Sequence, residues 1–294
     1  MSENTMKMGK YSIELSNLDK KMYPKSGITK QDVIEYYKEI APYMLTHIKQ
    51  RPLVMHRFPD GIEGEDFYQK AVPDYFPDWI KRTKISLKEG GSEYLVVVEK
   101  AADLVYLANQ ACLVPHVWLS REDNVENPDK LVFDLDPSGD DFGEVKFAAL
   151  KLKKVLEENG LISYVMTTGS KGLHVTVPVK PDHPFKKVRE FAEELAWKLA
   201  KDYPDRLTIE LRKVKREGRL LLDYMRNAFG QTSVVPYALR AQPGAPVAVP
   251  LDWKELKRSQ LNPQTYNLNN IFRRLSQKED TWKDIFRNKN TLKL

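Results

Sequence analysis

Hydrophobic positions along the chain change period several times, and each change marks an element. Thr29 followed by Asp32 reads as an N-cap with its reciprocal partner, opening a helix whose Val33, Tyr37, Ile40, Met44 and Ile48 recur at helical spacing. Pro42 falls inside it and is expected to kink it. The apolar run Tyr94–Val98 predicts a buried strand, and Ala101–Gln110 a short helix. Leu131–Asp136 predicts a further strand. Val145, Ala148, Leu152, Val155 and Leu156 then make an amphipathic helix that Asn159-Gly160 should stop. With Tyr164–Thr167 as the next strand, the order suggests a crossover unit. Leu173–Val177 alternates strictly, placing Leu173, Val175 and Val177 on one face and His174 and Thr176 on the other. Val188, Phe191, Ala192, Leu195 and Leu199 stripe another helix, and Thr208–Leu211 and Leu220–Tyr224 are strand candidates around a basic turn. Four prolines between Pro236 and Pro250 predict an extended loop, after which the chain turns helical and basic beyond Trp253. The mixture argues for an α/β fold with a mixed sheet, not a bundle or a sandwich.

At 294 residues and 41% hydrophobic content, the chain can bury a full core in one large or two joined domains. Its net charge of +6 fits a polyanionic partner. The excess is local: Lys254–Leu294 holds ten Lys/Arg against four Asp/Glu, and Arg206–Arg219 holds six against two. Either stretch is a solvated face or a phosphate-tracking surface. Cys112 is the only cysteine, which excludes an intramolecular disulfide and a cysteine-rich zinc site. The polar start Met1-Ser2-Glu3-Asn4 and the lack of a long apolar run lead us to expect no signal peptide and no membrane span, hence a cytoplasmic protein.

The strand Leu131–Asp136 carries the strongest chemical signal. Asp134 and Asp136 stand at i and i+2 in an apolar frame, so they share one face, where two carboxylates repel each other and resist desolvation. Either a cation compensates, with oxygen ligands suited to Mg²⁺ or Mn²⁺, or the pair is a wetted strand end leading into the turn Asp136-Pro137-Ser138-Gly139. Asp223, inside Leu220–Leu222, needs Arg226 or a cation to offset its charge. The turn Thr167–Gly172 lacks P-loop spacing, yet glycine-exposed backbone N–H groups, the hydroxyls of Thr168 and Ser170 and the charge of Lys171 could hold a triphosphate. His174 is a structural histidine or a phosphate donor, His116 likewise a packed strand-edge histidine or a functional one, and Arg240 a cation in a rigid loop or half of a surface salt bridge. Three carboxylates, a phosphate-suited turn and separated cations fit two-metal phosphoryl transfer, which needs no side-chain nucleophile. No G-x-S-x-G, H-E-x-x-H or cysteine dyad supports acyl transfer or zinc hydrolysis.

Taken in order, eight motifs resemble the polymerase domain of bacterial end-joining ligase D, of the archaeo-eukaryotic primase superfamily. They are Leu15–Lys20 with Tyr23-Pro24, Arg51-Pro52-Leu53, Arg57-Phe58-Pro59-Asp60-Gly61, Trp118–Arg121, Phe133–Pro137, Lys171–His174, Asp223-Tyr224 with Asn227-Ala228, and Leu239-Arg240-Ala241 with Pro243–Pro246. The likeness runs from about Ser12 to Leu256. It implies a primase-like catalytic core of mixed β-sheets flanked by helices over residues 1–256, with 257–294 a basic helical segment on the same domain. It also implies that Asp134, Asp136 and Asp223 hold two divalent ions, Mn²⁺ or Mg²⁺. His116, Thr168, Ser170, Lys171, His174, Arg226 and Arg240 would surround the nucleoside triphosphate substrate, ribo- or deoxyribonucleotide. Phe67 and Tyr68 resemble the aromatic pair that stacks near the templating base, and Lys20 and Lys30, as sequence features two exposed lysines, match the pocket for a DNA 5′-phosphate. Three positions depart from the family pattern: Thr168 stands where serine is usual, His56 where a longer cation is frequent, and Arg226 in place of a frequent glutamine.

The implied activity is template-directed extension of a primer 3′-hydroxyl at gaps and double-strand breaks, with a preference for ribonucleotides. The chain would stand alone and be nucleoid-associated, beside a Ku-type end binder and a separate DNA ligase. Three other readings share these residues: a primase starting chains de novo, a two-metal nuclease, and a non-catalytic binder of 5′-phosphorylated DNA ends.

Overall fold

The computed structural model describes residues 4–86 and 90–294; the polar start at Met1–Glu3 lies outside them. A hairpin of β1 (Thr5–Met8) and β2 (Tyr11–Glu14) precedes the short pair β3 (Lys21–Tyr23) and β4 (Ile28–Thr29). Thr29 then caps α1 (Lys30–Ile48) through the expected reciprocal pair with Asp32, and the helix continues through Pro42. Next come β5 (Pro52–Arg57), β6 (Phe67–Gln69), β7 (Lys81–Ser86), β8 (Ser92–Val97), α2 (Ala101–Asn109) and β9 (Cys112–Trp118). A second run holds β10 (Lys130–Asp136), α3 (Phe142–Glu158), β11 (Tyr164–Thr167), β12 (Leu173–Pro178), α4 (Phe185–Asp202), β13 (Leu207–Thr208) and β14 (Leu220–Asp223). The elements β15 (Thr232–Val234), β16 (Val249–Leu251) and α5 (Ile271–Gln277) complete the set.

Two six-stranded sheets carry the architecture. One has the order β13-β14-β10-β12-β11-β16; the other runs β15-β9-β5-β8-β7, with β6 added to the edge of β5. The expected crossover is present in split form, because β12 inserts antiparallel between β10 and β11 and leaves those two parallel. Helices α3 and α4 pack on the first sheet, and α1 with α2 on the second. One continuous apolar core joins them, including Leu131, Phe133 and Leu135, the inward residues that alternate with the polar face of β10.

Two expectations change. The strand expected at Thr208–Leu211 shortens to Leu207–Thr208, because the guanidinium of Arg216 donates to the carbonyls of Glu210 and Leu211 and folds this stretch into a turn. The expected basic C-terminal helix is reduced to a 3-10 helix at Trp253–Lys257 and the seven residues of α5. Before α5, the side chains of Asn262, Asn267 and Asn270 accept from nearby backbone amides, a local bonding that competes with a helix. Beyond it, Trp282, Ile285 and Leu292 bury into the common core, and the Asn290 side chain bonds the backbone of Ile162 and Pro178.

Candidate active site

Strand register builds the site. Asp134 of β10 lies directly opposite His174 of β12 on one side and Asp223 of β14 on the other. Opposed residues in neighbouring strands share a face, so three adjacent strands present His174, Asp134 and Asp223 side by side, with Asp136 one step along the same face. Two segments 89 positions apart in the chain are thereby fixed together by backbone ladders rather than by flexible loops.

Arginines hold the carboxylates in this arrangement. The Nε of Arg226 lies 3.5 Å from Asp134 and 3.6 Å from Asp223, and Nη1 of Arg216 donates to Asp136 at 2.8 Å. Burial alone would raise the Asp134 carboxyl, but His174, at 3.5 Å, together with Arg226 and Arg240, holds it below the usual range. At Asp223 burial wins. Its carboxyl is pushed up against Arg226 and the Met225 N–H, with the neighbouring Asp134 and Asp136 charges adding to the rise.

The Thr167–Gly172 turn sits tight against β10. A Cβ on Gly172 would come within 2.1 Å of the Leu135 carbonyl oxygen, and Gly169 adopts φ +68° with no room beside Arg240. The turn differs from expectation in one respect. The amides of Ser170 and Gly172 donate to the Thr168 hydroxyl, which itself donates to the Gly172 carbonyl, so these groups shape the turn from within while Thr168, Ser170 and Gly172 still line the cavity. Charge at this end comes from side chains: Arg240, whose Nη1 donates to the Thr168 carbonyl at 2.6 Å, and Lys171, which reaches Asp140 through an exposed ion pair. Such a pair is weak enough to exchange for another anion.

Tyr68, His116, Ser170, Arg226 and Arg240 also border the cavity, of about 310 Å³, between the two sheets. His116 is held neutral: burial lowers its pKa well below the ordinary value, and Arg240, His56, Arg226 and His174 add to that. Phe67 and Tyr68 part company, since successive strand residues face opposite ways. Tyr68 faces the cavity, while Phe67 lies under the Arg57 guanidinium, 5.5 Å from its ring centre.

Lys20 and Lys30 form a separate cationic cluster with Arg57, and the expectation of two exposed lysines fails for Lys30, which is 5% exposed. As the first residue of α1 its stem folds back over the preceding turn, where Nζ donates to the carbonyl and hydroxyl of Ser16. Burial, then Lys20 and Arg57, bring its pKa down to about 8. Lys20 donates to the Pro59 carbonyl and pairs with Asp60 at 2.8 Å.

Two contributors escaped sequence reasoning. Arg216 counted only as one charge in a basic stretch, and no pattern reveals its burial against Asp136. The wholly buried Asn227 accepts from the Val132 amide and donates to its carbonyl, continuing the ladder of β10 where β14 has ended and fixing the turn that carries Arg226. Asn227 stood in a quoted motif; its ladder role did not show there.

The chemistry of the donors fits a hard divalent cation. They are oxygen-only, set where burial pushes Asp223 up and the Asp134 and Asp136 charges add to the rise, and adjacent to a cavity lined by Lys171, His174, Arg226 and Arg240. In the present arrangement the arginines occupy them: among the described residues no three His, Cys, Asp or Glu side chains draw together as a metal cage. Arg226 is 43% exposed, and its contacts to the two carboxylates are long, at 3.5 and 3.6 Å.

Comparison with known proteins gives one answer. The family model described as LigD, primase-polymerase domain, matches residues 29–282. The chain is 33% identical over 278 residues to the bifunctional non-homologous end joining protein LigD of Bacillus subtilis, covering 94% of this chain and 44% of that one. It is 32% identical over 264 residues to the multifunctional non-homologous end joining DNA repair protein LigD of Mycobacterium tuberculosis, covering 87% and 35%. The chain thus spans less than half the length of these relatives. The structure superposes with a TM-score of 0.87 and 29% identity on the polymerase domain of Mycobacterium tuberculosis ligase D in complex with DNA, covering 95% of this chain and 99% of that one. This chain therefore belongs to the LigD primase-polymerase domain family of DNA-directed nucleotidyltransferases, which use a divalent metal and nucleoside triphosphates.

Proposed function

We propose that the protein extends a primer 3′-hydroxyl on a DNA template at gaps and double-strand breaks, as a repair polymerase of non-homologous end joining. The observation that carries this is the register placing His174, Asp134 and Asp223 abreast on three strands beside the Lys171 turn. Asp134, Asp136 and Asp223 would hold two divalent ions once Arg226 gives way, with Arg216 staying in place and sharing Asp136 with the metal. A bound Mg²⁺ or Mn²⁺ would supply Lewis-acid activation of the 3′-hydroxyl and offset charge on the departing pyrophosphate.

The remaining roles belong to the chain's own side chains. Arg240, Lys171, Ser170 and His174 receive the triphosphate oxygens; Thr168 keeps the turn in shape for them. His116, neutral, offers a hydrogen bond toward the nucleotide's sugar without adding charge. Tyr68 stacks at the base end. The cluster of Lys20, Lys30 and Arg57, with Phe67 beneath Arg57, receives a 5′-phosphate at the far side of a gap. Residues 257–294 act as part of the same unit, since their apolar side chains complete its core. A Ku-type end binder and a DNA ligase would act on the same ends, and ribonucleotides and Mn²⁺ are the favoured substrate and ion, on the family resemblance.

A gapped duplex with a 5′-phosphate, offered labelled ribo- and deoxyribonucleotides under Mg²⁺ and under Mn²⁺, tests the reading. Template-matched addition by the wild type and none by Asp134→Ala is expected. Shortened DNA would indicate a nuclease, products without a primer a primase, and incorporation unchanged in Asp134→Ala a mere end-binding module.

A further inference from the structure

Tyr68 is 58% exposed, on a strand of three residues that pairs only with β5 among the described residues. Burial therefore does not fix its ring. His56 does. It lies directly opposite Tyr68 in the register, and imidazole and phenol stack with centres 4.0 Å apart and planes 16° from parallel. Behind it His56 leans on the buried ring of Phe58, at 4.3 Å. Its Nε2 stands 2.6 Å from Oδ1 of Asp66, the residue just before β6 and two before Tyr68. A stack and a hydrogen bond thus tie β6 to β5 on the cavity side. Held in this way, Tyr68 meets His116 edge-on, at 5.7 Å and 86°, on the wall of the cavity that also contains Asp134 and Arg240.

We propose that the His56–Asp66 pair positions the incoming nucleotide by clamping Tyr68 in the orientation that closes the base end of the site. The inference rests on the nucleotidyltransferase reading and deepens it. A long cation at position 56 would place a flexible stem beside the ring. An imidazole is flat, covers the phenol ring to ring, and keeps a nitrogen for Asp66. A base entering the cavity meets an aromatic surface already ordered, so less rotamer freedom is lost on binding. Neither residue lines the cavity that holds Asp134 and Lys171, so His56 and Asp66 are positioning residues and their loss falls on nucleotide affinity, not on the chemical step.

The test compares wild type, His56→Ala, His56→Phe and Asp66→Ala in two measurements. One is KM and kcat for adding a single template-matched nucleotide to a gapped duplex. The other is calorimetric titration of the same nucleoside triphosphate, with Mn²⁺, into the protein–duplex complex. His56→Ala should raise both KM and the dissociation constant about three- to tenfold, the worth of one aromatic pair, with kcat within about twofold. His56→Phe keeps the stack and should recover most of the loss, and Asp66→Ala should fall between. Unchanged KM and affinity in His56→Ala, or a phenylalanine no better than alanine, would overturn the clamp. A fall in kcat and melting temperature with KM unmoved would also overturn it, by showing a merely structural role. If the wild type incorporates nucleotide while the variants do not shift, the clamp alone is wrong; a wild type that neither binds nor incorporates nucleotide sinks the polymerase reading with it.

Discussion

Carboxylates meet arginines at two places in this molecule, with opposite results. Glu255, 9% exposed, accepts from Arg274 at 2.7 and 2.9 Å, from Lys278 at 2.9 Å and from the Asp252 amide at 2.9 Å. Burial would raise its carboxyl, but these partners outweigh burial and bring it down to about 2. At the candidate active site Arg226 straddles Asp134 and Asp223 at 3.5 and 3.6 Å, Arg216 holds Asp136 alone, and burial pushes Asp223 up. One carboxylate is saturated with close donors; the other three stand together around two arginines, and the one that gains least from them, Asp223, is pushed up by burial. The first arrangement stabilises a fold, and the second leaves a binding opportunity for a cation.

Substitutions at the two places should therefore separate activity from stability. Asp134→Asn is expected to reduce primer extension by about 10³-fold or more while lowering the melting temperature only modestly, since His174, Arg226 and Arg240 favour its ionised form, as primer extension and calorimetry on one preparation would show. Glu255→Gln should do the reverse. It is expected to cost about 2–4 kcal/mol of unfolding free energy in urea titration, with activity per folded molecule retained.

Acid sharpens this contrast. The folded pKa of Glu255, about 2, lies below its ordinary 4.5, so its contribution is full above pH 4.5 and is lost as pH falls towards 2. That contribution is on the order of 3 kcal/mol. The wild type should lose stability through that window more steeply than Glu255→Gln, as denaturant midpoints against pH would reveal. Arg240→Ala is expected to lower kcat/KM about 100-fold through lost charge at the triphosphate, with KM for nucleotide rising. The smallest effect is at Asp223→Asn: removing a carboxyl that burial disfavours should leave the ion-free protein equally stable or stabilised by up to about 1 kcal/mol.

The same division runs through what the sequence disclosed. Asp134 and Asp136 were legible because a charged i, i+2 pair in an apolar strand is a local oddity, and Thr29 because capping is a local motif. The meeting of Asp223 with Asp134 is a long-range ladder; the family resemblance supplied it, and period alone did not. Arg216 and the end of the Thr208 strand are one event, a guanidinium drawing carbonyls away from a ladder, and no periodicity encodes it. Thr168 was legible as a hydroxyl in a turn, but not that it would face inward and bind the turn's own amides. Lys30 looked exposed because lysine usually is; the first turn of α1 folds it under.

Binding of Mn²⁺ followed by electron paramagnetic resonance, in the presence of a nucleoside triphosphate and a gapped duplex, tests most directly whether the three carboxylates share a cation site. Saturable binding by the wild type, weakened at least about tenfold in both Asp134→Asn and Asp223→Asn and unaltered in Glu255→Gln, is the expected result. Equal Mn²⁺ affinity in the wild type and the two aspartate variants would contradict it.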